Sequence, residues 1–330
     1  MPDRPEVTQA TDLPLLSVVI LNYRTPALVL DLLETLRPEI DPLRHRVVVV
    51  DNASGDDSLE VLQRALAARP EPWLRLLVAP VNGGFAAGNN LGIRAQPARH
   101  YLLINSDTLV RPGALTGLLD AAQRHPDVGL VGPRLEWPDG TPQISAFTAH
   151  SPASELIQAA GIGLVTRLLR RHEVPRPLQS QAERVDWVSF ACVLIKDEVI
   201  QSVGGLDEGY FMYYEDTDYC LSARRVGWGT LIEPGAHVVH LRGGSGNVKA
   251  DLARRRRPAR YLYASRTRYF RRHHGPLGPL LANLAWMAGH ALACLRFLID
   301  RRMPPACKAQ WRDNWIHFTH PSRPYRAASS

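Results

Sequence analysis

Asp107 is a carboxylate at a position where a protein could hold a metal ion and, through it, a phosphate. It follows the apolar run Tyr101–Ile104, which is typical of a short buried strand, and its neighbours Asn105, Ser106 and Thr108 all offer oxygen atoms. Open parallel sheets bind their ligands beyond the carboxyl ends of the core strands. Asp107 could there bind Mg or Mn, since hard cations prefer oxygen ligands. The alternative is that Asp107 caps the next helix or shapes a turn.

A second group of carboxylates, Glu215, Asp216 and Asp218, follows the aromatic run Tyr210–Tyr214. The helix dipole favours acidic residues at the start of a helix, and this structural role is a sufficient explanation for Glu215 and Asp218. The aromatic run can wall off a cleft and raise the pKa of a nearby carboxylate toward that of a general base. Asp216 is therefore the candidate for a base.

Two further segments could contact a ligand. The glycine-rich segment Asn82–Asn90 precedes a predicted helix and has neither the dinucleotide-binding order of glycines nor a Gly-Lys-Ser/Thr sequence. It can let the backbone approach a phosphate or a sugar, although a tight turn is the alternative. His240 ends a predicted strand before Gly243-Gly244-Ser245, and His237 would point to the opposite face of that strand, so the two histidines would not share one metal.

Strands that alternate with helices would position these residues. Apolar runs at 16–21, 47–50, 74–78 and 101–104 predict strands, and the segments between them have the spacing of helices, for example at 26–36 and from Ser58 onward. This order predicts a parallel sheet with right-handed crossovers. Residues 133–186 are less regular, with one predicted helix near 153–169. A strand at 185–196, a helix ending at Arg225, and strands at 227–232 and 236–240 follow.

Composition indicates an ordinary globular protein. The chain has 330 residues, of which 45% are hydrophobic and 22% charged. Its four cysteines are scattered, which disfavours both a disulfide framework and a zinc site. Residues 1–14 are predicted to be disordered, and residues 1–13 lack the apolar core of a signal peptide. These features predict a cytoplasmic protein.

The charge is distributed unevenly along the chain. Residues 252–330 contain 16 Lys and Arg against two acids, a net charge of +14, whereas the other 251 residues contain 23 Lys and Arg against 30 acids, a net charge of −7. Such a basic extension predicts an anionic partner. Residues 275–295 carry no charge, which favours a helix that lies on an anionic membrane surface, with a membrane-spanning helix as the alternative. Nucleic acid is disfavoured as a partner, because charge alone is not a specific signal.

Six segments together resemble glycosyltransferase family 2, and in particular its bacterial rhamnosyltransferase-like branch. They are Ile20-Leu-Asn-Tyr23, Val50-Asp-Asn-Ala-Ser-Gly55, Asn82–Asn90, Leu103-Ile-Asn-Ser-Asp107, Gly205–Asp216 and His240-x-x-Gly-Gly-Ser245. The resemblance covers about residues 15–270. It implies an α/β protein with a GT-A (Rossmann-like) fold, in which helices flank a mostly parallel sheet. The catalytic domain would span residues 15–250, and residues 251–330 would form the basic helical extension.

The resemblance also implies roles for individual residues. Asp216 would be the catalytic base, Glu215 would help to position the acceptor, and Asp107 and His240 would bind a divalent cation, Mg or Mn. Asn105 stands where the family's Asp-x-Asp motif has its first Asp. Asp51 would hold the base or ribose of the nucleotide. The implied nucleotide and donor contacts are Asn22, Tyr23, Asp51, Asn82, Gly84, Asn89 and Asp107.

The predicted function is metal-dependent, inverting transfer of a sugar from a nucleotide-sugar to a lipid-linked or cell-surface glycan at the inner face of the cell membrane. The favoured donor is dTDP-rhamnose. One departure weakens that donor assignment: relatives usually have Gly before the Ala-Cys pair, where this chain has Phe190. Two alternatives remain, a sugar nucleotidyltransferase and a non-catalytic scaffold that binds glycan or lipid.

Overall fold

The structure, a computed structural model, describes residues 13–242 and 248–325, without the side chains of residues 248–250. The Gly243-Gly244-Ser245 segment and residues 1–12 of the predicted disordered amino terminus lie outside the described residues.

The amino-terminal part alternates strands and helices, as the apolar runs predict. Its elements are β1 (Leu16–Asn22), α1 (Pro26–Leu36), β2 (His45–Asp51), α2 (Ser58–Ala68), β3 (Leu74–Val78), α3 (Gly84–Ala95), β4 (His100–Asn105), β5 (Thr108–Val110), α4 (Ala114–Arg124) and β6 (Val128–Glu136). Pro26 begins α1, where its missing N–H has no cost.

The following part is built from shorter elements. These are β7 (Ala146–Phe147), α5 (Pro152–Ala160), α6 (Gly163–Leu168), β8 (Glu183–Val185), β9 (Trp187–Val188), β10 (Cys192–Lys196), α7 (Asp197–Val203), α8 (Glu215–Arg225) and β11 (Gly229–His240). Short 3₁₀ turns occur at Arg37–Glu39 and Arg170–His172. The extension contains α9 (Val248–Ala253), α10 (Arg260–His273), α11 (Gly278–Asp300) and α12 (Gln310–Asp313).

One mixed sheet forms the centre of the molecule. Its strand order is β3-β2-β1-β4-β10-β6-β11-β5, and β8 also pairs with β11. β3, β2, β1 and β4 are parallel neighbours, as are β6 and β11. β10 runs antiparallel to both β4 and β6, and β5 and β8 run antiparallel to β11. The prediction of a parallel sheet therefore describes the amino-terminal half.

Both faces of the sheet are covered, which explains why its central strands are apolar without alternation. Val18 and Ile20 of β1 pack in one cluster with Leu32 of α1 and Leu118 of α4. Val19, between them, points to the other face and packs in a second cluster with residues of α3 and α8.

Three predicted element boundaries are wrong, each at a local break. The strand predicted at 185–196 is divided, because β9 pairs with β7 in a separate two-stranded sheet while β10 enters the main sheet. The two strands predicted at 227–232 and 236–240 are one strand, β11, whose register shifts between Glu233 and His237. The helix predicted at 153–169 ends at Ala160, since Gly161 adopts a left-handed conformation with φ of 54°.

The extension packs on the part of the chain that contains the sheet. Arg268 of α10 donates hydrogen bonds of 2.9 and 2.8 Å to the carboxylate of Asp207, and Ser265 Oγ donates to the Met212 carbonyl over 3.1 Å. Both contacts reach the segment that leads into α8. α10 therefore supports the residues that precede Glu215 and Asp216.

Candidate active site

A cleft opens at the carboxyl ends of β1, β2 and β4, where an open α/β sheet is expected to bind ligands. It consists of two adjoining cavities that share Phe85, Asn105 and Met212 in their walls. The first cavity has a volume of about 280 Å³ and includes Tyr23 and Asn82. The second cavity has a volume of about 490 Å³. Together they are large enough for a nucleotide-sugar and part of an acceptor.

The second cavity brings together Asp107, Glu215, Asp216 and His240, which are far apart in the sequence. The sheet is responsible for the Asp107–His240 pair: His240 of β11 pairs with Thr108 of β5, and the Leu241 N–H donates to the Asp107 carbonyl over 2.9 Å. His240 Nε2 lies 3.6 Å from Asp107 Oδ1, and both residues are buried.

This pair fits the requirements of a divalent cation. Two ligands that each lie about 2.1 Å from one cation are separated by roughly 3 to 4 Å, the range in which the two side-chain atoms are found. Within residues 13–242 and 248–325, no group of three or more His, Cys, Asp or Glu could hold a metal ion. Asn105, which lines both cavities, offers a neutral amide oxygen in the same space. A cation here would therefore need further ligands from water or substrate.

Two residues in an uncommon backbone conformation orient the start of α8. Tyr213 and Tyr214 have φ values of 70° and 69°, the left-handed region that bulky side chains rarely adopt. α8 begins immediately afterwards, so Glu215 and Asp216 stand in its first turn. Asp216 is partly exposed to the second cavity, and its Oδ1 accepts a hydrogen bond of 2.8 Å from the Thr217 N–H.

The surroundings of the Glu215 carboxyl disfavour its charged form. Burial raises the pKa of this carboxyl well above its usual range, and the negative charges of Asp216 and Asp218 raise that pKa further. In its protonated form the carboxyl can donate a hydrogen bond into the second cavity. Its Oε2 makes no hydrogen bond with any described residue.

Three residues predicted to contact the donor lie outside the cavity walls. Asp51 is 2% exposed, and its carboxylate accepts hydrogen bonds from Asn22 Nδ2 over 2.8 Å and from the Ser54 side chain and N–H. Asn22 is fully buried in the same network. Asn89 Nδ2 donates to the Phe85 carbonyl within α3. In this structure Asp51 and Asn22 join the segments that follow β1 and β2, whereas Asn89 makes its hydrogen bond within α3.

Tyr23, Asn82 and Gly84, three other residues predicted to contact the donor, line the first cavity. Asn82 Oδ1 accepts hydrogen bonds from the Gly84 N–H over 3.0 Å and from Asn52 Nδ2 over 3.1 Å. Gly84 has φ of 86°, and a Cβ at this position would lie 2.1 Å from the Phe211 carbonyl oxygen. This close approach joins the start of α3 to the segment before α8.

The sequence patterns missed several lining residues. Asn52 lines the first cavity, and its buried Oδ1 makes no hydrogen bond within the described part of the chain. Tyr261 of α10 completes the first cavity, and Leu252 and Leu262 reach the second. The position of Asn52 next to Asp51 was the available signal, but only the fold shows which of the two faces the cavity.

Arg242 is a cation in the second cavity that the sequence analysis also missed. Its guanidinium donates to the side chain of Gln143 and lies 5.4 Å from the centre of the Trp137 ring. Gln143 in turn donates to the His240 carbonyl over 2.8 Å. Burial lowers the pKa of Arg242, but an arginine keeps its charge near pH 7. The second cavity therefore holds a fixed positive charge close to the Asp107–His240 pair.

Phe190 and His150 give the second cavity an apolar wall. Phe190 is 2% exposed and packs edge-on against Tyr219, with ring centres 6.2 Å apart. Burial, together with the positive charge of Arg266, lowers the pKa of His150 to about 4, so its imidazole is neutral near pH 7. The bulky Phe190 ring thus stands where the departure from the family pattern predicted a change in the pocket.

Comparison with known proteins identifies a family. Residues 14–264 match the model of a family described as glycosyltransferase like family 2. An N-acetylglucosaminyl-diphospho-decaprenol L-rhamnosyltransferase of Mycobacterium tuberculosis is 30% identical over 210 residues, 59% of this chain and 66% of that protein. Low-salt glycan biosynthesis hexosyltransferase Agl10 of Haloferax volcanii is 26% identical over 221 residues, 66% of this chain and 64% of that protein. The matches thus span just under two thirds of these relatives' lengths.

Solved structures share the fold. The mannosyltransferase PcManGT from Pyrobaculum calidifontis, in complex with GDP-Man and Mn²⁺, superposes with a TM-score of 0.55 at 17% identity, covering 95% of this chain and 85% of that one. S. aureus TarS, residues 1–349, gives a TM-score of 0.52 at 13% identity, covering 93% and 80% of the two chains. At these identities the likeness shows the fold alone.

Proposed function

Since the chain belongs to glycosyltransferase family 2 and has the GT-A fold, we propose that it is a metal-dependent, inverting glycosyltransferase. The observation that carries this proposal is the second cavity. There the Asp107–His240 pair, which suits a cation, and the partly exposed carboxylate of Asp216 line one space. An inverting transfer needs one stabilised leaving group and one base, and no covalent nucleophile.

We propose that the nucleotide occupies the first cavity, with rhamnose from dTDP-rhamnose as the favoured sugar. Tyr23 offers a ring for stacking, and Asn52 Oδ1 could accept a hydrogen bond from the base. Asp51 and Asn22 would act by holding the loops that carry these contacts, and Asn89 by stabilising the first turns of α3. The relatives named as rhamnosyltransferases support the choice of sugar.

Asp107 and His240 would hold the divalent cation, with Asn105 as a neutral neighbour. A cation bound there supplies neutralisation of the negative charge that develops on the departing diphosphate. Arg242, which lies in the same cavity, adds a second positive charge for that diphosphate.

Asp216 would take the proton of the acceptor hydroxyl. As the hydroxyl oxygen bonds to the anomeric carbon, the bond from that carbon to the diphosphate oxygen breaks, and the proton goes to the Asp216 carboxylate. Glu215 would help to position the acceptor, because its raised pKa favours the protonated form, which can donate a hydrogen bond to a neighbouring acceptor oxygen. The aromatic walls around His150 and Phe190 would pack against sugar rings and exclude water.

We propose a lipid-linked or cell-surface glycan precursor as the acceptor, by analogy with the decaprenyl-linked name of one relative. The reaction would then take place at the cytoplasmic face of an anionic membrane, since the acceptor is anchored there and the nucleotide-sugar is water-soluble.

The proposal is tested with the full chain, GlcNAc-diphosphate-polyprenol and a panel of nucleotide-sugars that includes dTDP-rhamnose, GDP-mannose and UDP-GlcNAc. We expect transfer of one sugar with Mg²⁺ or Mn²⁺ and none in EDTA. Asp107→Ala should weaken donor binding in Mn²⁺ and leave the weak binding in EDTA unchanged. His237→Ala is the matched control, because His237 contacts Glu136 and does not line either cavity.

Two outcomes would contradict the proposal. Release of pyrophosphate from a nucleoside triphosphate and a sugar phosphate would identify a nucleotidyltransferase. Binding of the acceptor without any donor turnover across the panel would indicate a non-catalytic scaffold.

A further inference from the structure

We propose that the outer face of α11 binds an anionic membrane surface, with the helix lying in the plane of the interface. This inference deepens the proposed function and rests on it, because it names the surface through which the enzyme would reach a lipid-linked acceptor. We call this surface the outer face and define it by its exposed residues: Leu277, Leu281, Leu284, Met287, Ala288, Ala291, Leu292, Cys294, Leu295, Leu298 and Ile299.

The outer face is apolar over the whole length of the helix. Most of its exposed large side chains are three or four residues apart, which places them along one side of α11. Leu295 is 59% exposed, Leu298 is 66% exposed and Ile299 is 86% exposed. The helix has 23 residues, so the face is about 35 Å long. A continuous exposed apolar surface of this size marks an interaction site in a soluble domain.

The opposite face of α11 is fixed to the protein. Trp286 and Ala293 are buried, and a Cβ at Gly289 would lie 2.4 Å from the Leu156 carbonyl oxygen, so α11 packs closely against α5. Asn283 accepts a hydrogen bond of 2.7 Å from Arg266 and donates one of 3.0 Å to the Asn314 carbonyl. A spanning helix would have to leave these contacts, whereas a helix lying on the surface keeps them.

Positive charges flank the outer face at both ends. Arg271 precedes α11, and Arg301 and Arg302 follow it. Arg272 also precedes the helix, but its guanidinium already pairs with Asp207 and Asp218. The one acid near its carboxyl end, Asp300, lies 3.6 Å from the guanidinium of Arg302. An apolar stripe between basic ends matches the acyl chains and the anionic headgroups of a bilayer surface.

The same charges argue against a second copy of the chain as the occupant. Two copies that met through the outer face, whether parallel or antiparallel, would bring basic ends together. An anionic bilayer satisfies the charges as well as the apolar side chains, so it is the occupant to which we commit.

Exposed leucines continue beside the carboxyl end of α11. Arg296 donates a hydrogen bond of 2.6 Å to the Gly161 carbonyl, two residues before α6 begins. α6 presents Leu164 and Leu168, which are 57% and 74% exposed, and Arg167 lies between them. This segment would widen the membrane contact.

The experiment measures sedimentation of the full chain with vesicles of phosphatidylcholine alone and of phosphatidylcholine with 30% phosphatidylglycerol. We expect binding to the anionic vesicles that weakens with salt. Leu281→Gln, Leu284→Gln and Leu295→Gln together should lower the partition coefficient by about tenfold or more, because each removes apolar contact with the acyl chains. The matched control replaces three exposed apolar residues elsewhere, Leu43→Gln, Leu178→Gln and Val226→Gln, and should bind as the wild type does.

Several outcomes would overturn the inference. Equal binding by the wild type and the outer-face variant would place the contact elsewhere. A dimer in solution that the outer-face variant abolishes, without binding to vesicles, would identify a self-association surface. Resistance of the bound wild type to alkaline carbonate would identify a spanning helix. Donor binding is measured without vesicles. A failure of the proposed catalytic function is therefore distinguished from a failure to bind the membrane.

Discussion

A substitution of Asp216 best separates an effect on donor binding from an effect on the chemical step. We expect Asp216→Asn to lower kcat by roughly 10²–10⁴-fold, because the amide cannot accept the proton of the acceptor hydroxyl. The affinity for the donor, measured by calorimetry, should stay within about twofold of the wild type. The proposed donor contacts are those of the first cavity and of Asp107, His240 and Arg242, whereas Asp216 would face the acceptor hydroxyl.

A matched control for this variant is Asp197→Asn, at the partly exposed start of α7. This Asp also stands in the first turn of a helix but lines neither cavity. Near-normal turnover by Asp216→Asn, or an equal loss in the control, would remove Asp216 from the role of the base.

The titration of Glu215 makes the free energy of unfolding depend on pH. Its pKa in the folded chain lies above its ordinary value of 4.5, so the folded state holds a proton that the unfolded state loses. Glu215 thus stabilises the fold fully below about pH 4.5, and this contribution is lost as the pH rises through the folded pKa. We expect Glu215→Gln to gain about 1.4 kcal/mol of stability relative to the wild type for each pH unit between the two pKa values.

Urea denaturation of both proteins at a series of pH values measures this difference. A constant offset between the two proteins across the series would show that the folded pKa of Glu215 is not raised.

The sequence patterns are better at predicting the residues that line the second cavity than at predicting the residues that line the first cavity. Asp107, Asp216 and His240 each stand at the end of a strand or the start of a helix, where the fold itself aims them at the cleft. Asp51 and Asn52 are adjacent, and their order in the sequence does not show that Asp51 turns inward to Asn22 and Ser54. The direction in which a side chain points depends on contacts between distant segments of the chain. A local sequence pattern does not report these contacts.

At the scale of elements, Gly84 joins α3 to the segment before α8. We expect Gly84→Ala to destabilise the fold by more than about 2 kcal/mol and to weaken donor binding, because the new methyl group would meet the Phe211 carbonyl oxygen. Gly140→Ala is the matched control: Gly140 has nearly the same φ, 84°, but no atom lies within 4 Å of its added Cβ. Only the backbone strain of about 1 kcal/mol should remain there.

Thermal unfolding and donor titration compare the two glycine variants. Equal losses in both would mean that the conformation alone, and not the approach of Phe211, is the reason for a glycine at position 84.

Long apolar runs identify the strands that the sequence predicts best. β1 and β2 are buried on both faces, so their composition is sufficient to identify them, although β2 extends to His45–Asp51 beyond the predicted 47–50. The segment 185–196 is also mostly apolar, but its division between two sheets depends on the pairing of Trp187 with Phe147. Pairing across distant segments is a tertiary interaction, and single-sequence periodicity does not report it.

At the scale of the whole molecule, a buried ion pair ties the extension to the catalytic part. Arg266 of α10 donates hydrogen bonds of 3.0 and 2.9 Å to Glu155 Oε2 of α5. We expect Glu155→Ala to destabilise the fold by about 3–5 kcal/mol, because it leaves the guanidinium buried and without its counter-charge. The double variant Glu155→Leu with Arg266→Met should regain most of that loss.

Asp127→Ala is the control, since Asp127 and its partner Arg184 are both more than half exposed. Its effect on the free energy of unfolding should be within about 1 kcal/mol. An equal effect of Glu155→Ala and Asp127→Ala, measured by urea denaturation, would contradict a structural role for the buried pair.

The positive charge that the extension can offer to a ligand is smaller than its net charge. The sequence predicts an anionic partner from +14, but several of these cations already have partners within the protein. Arg257 forms a bidentate pair with Asp313, and Arg268 forms one with Asp207. Composition counts every charge equally, whereas only the unpaired and exposed ones attract a ligand.

The left-handed pair Tyr213–Tyr214 has a consequence for how this enzyme could adapt to heat. Each bulky residue in that conformation costs about 1–2 kcal/mol, so the chain gives up part of a small stability margin to aim α8. Selection for thermal tolerance alone would favour glycine or asparagine at positions 213 and 214. Glu215 and Asp216 would then be held less firmly in their orientation. A more heat-resistant descendant that stayed active would have to gain its stability elsewhere in the molecule.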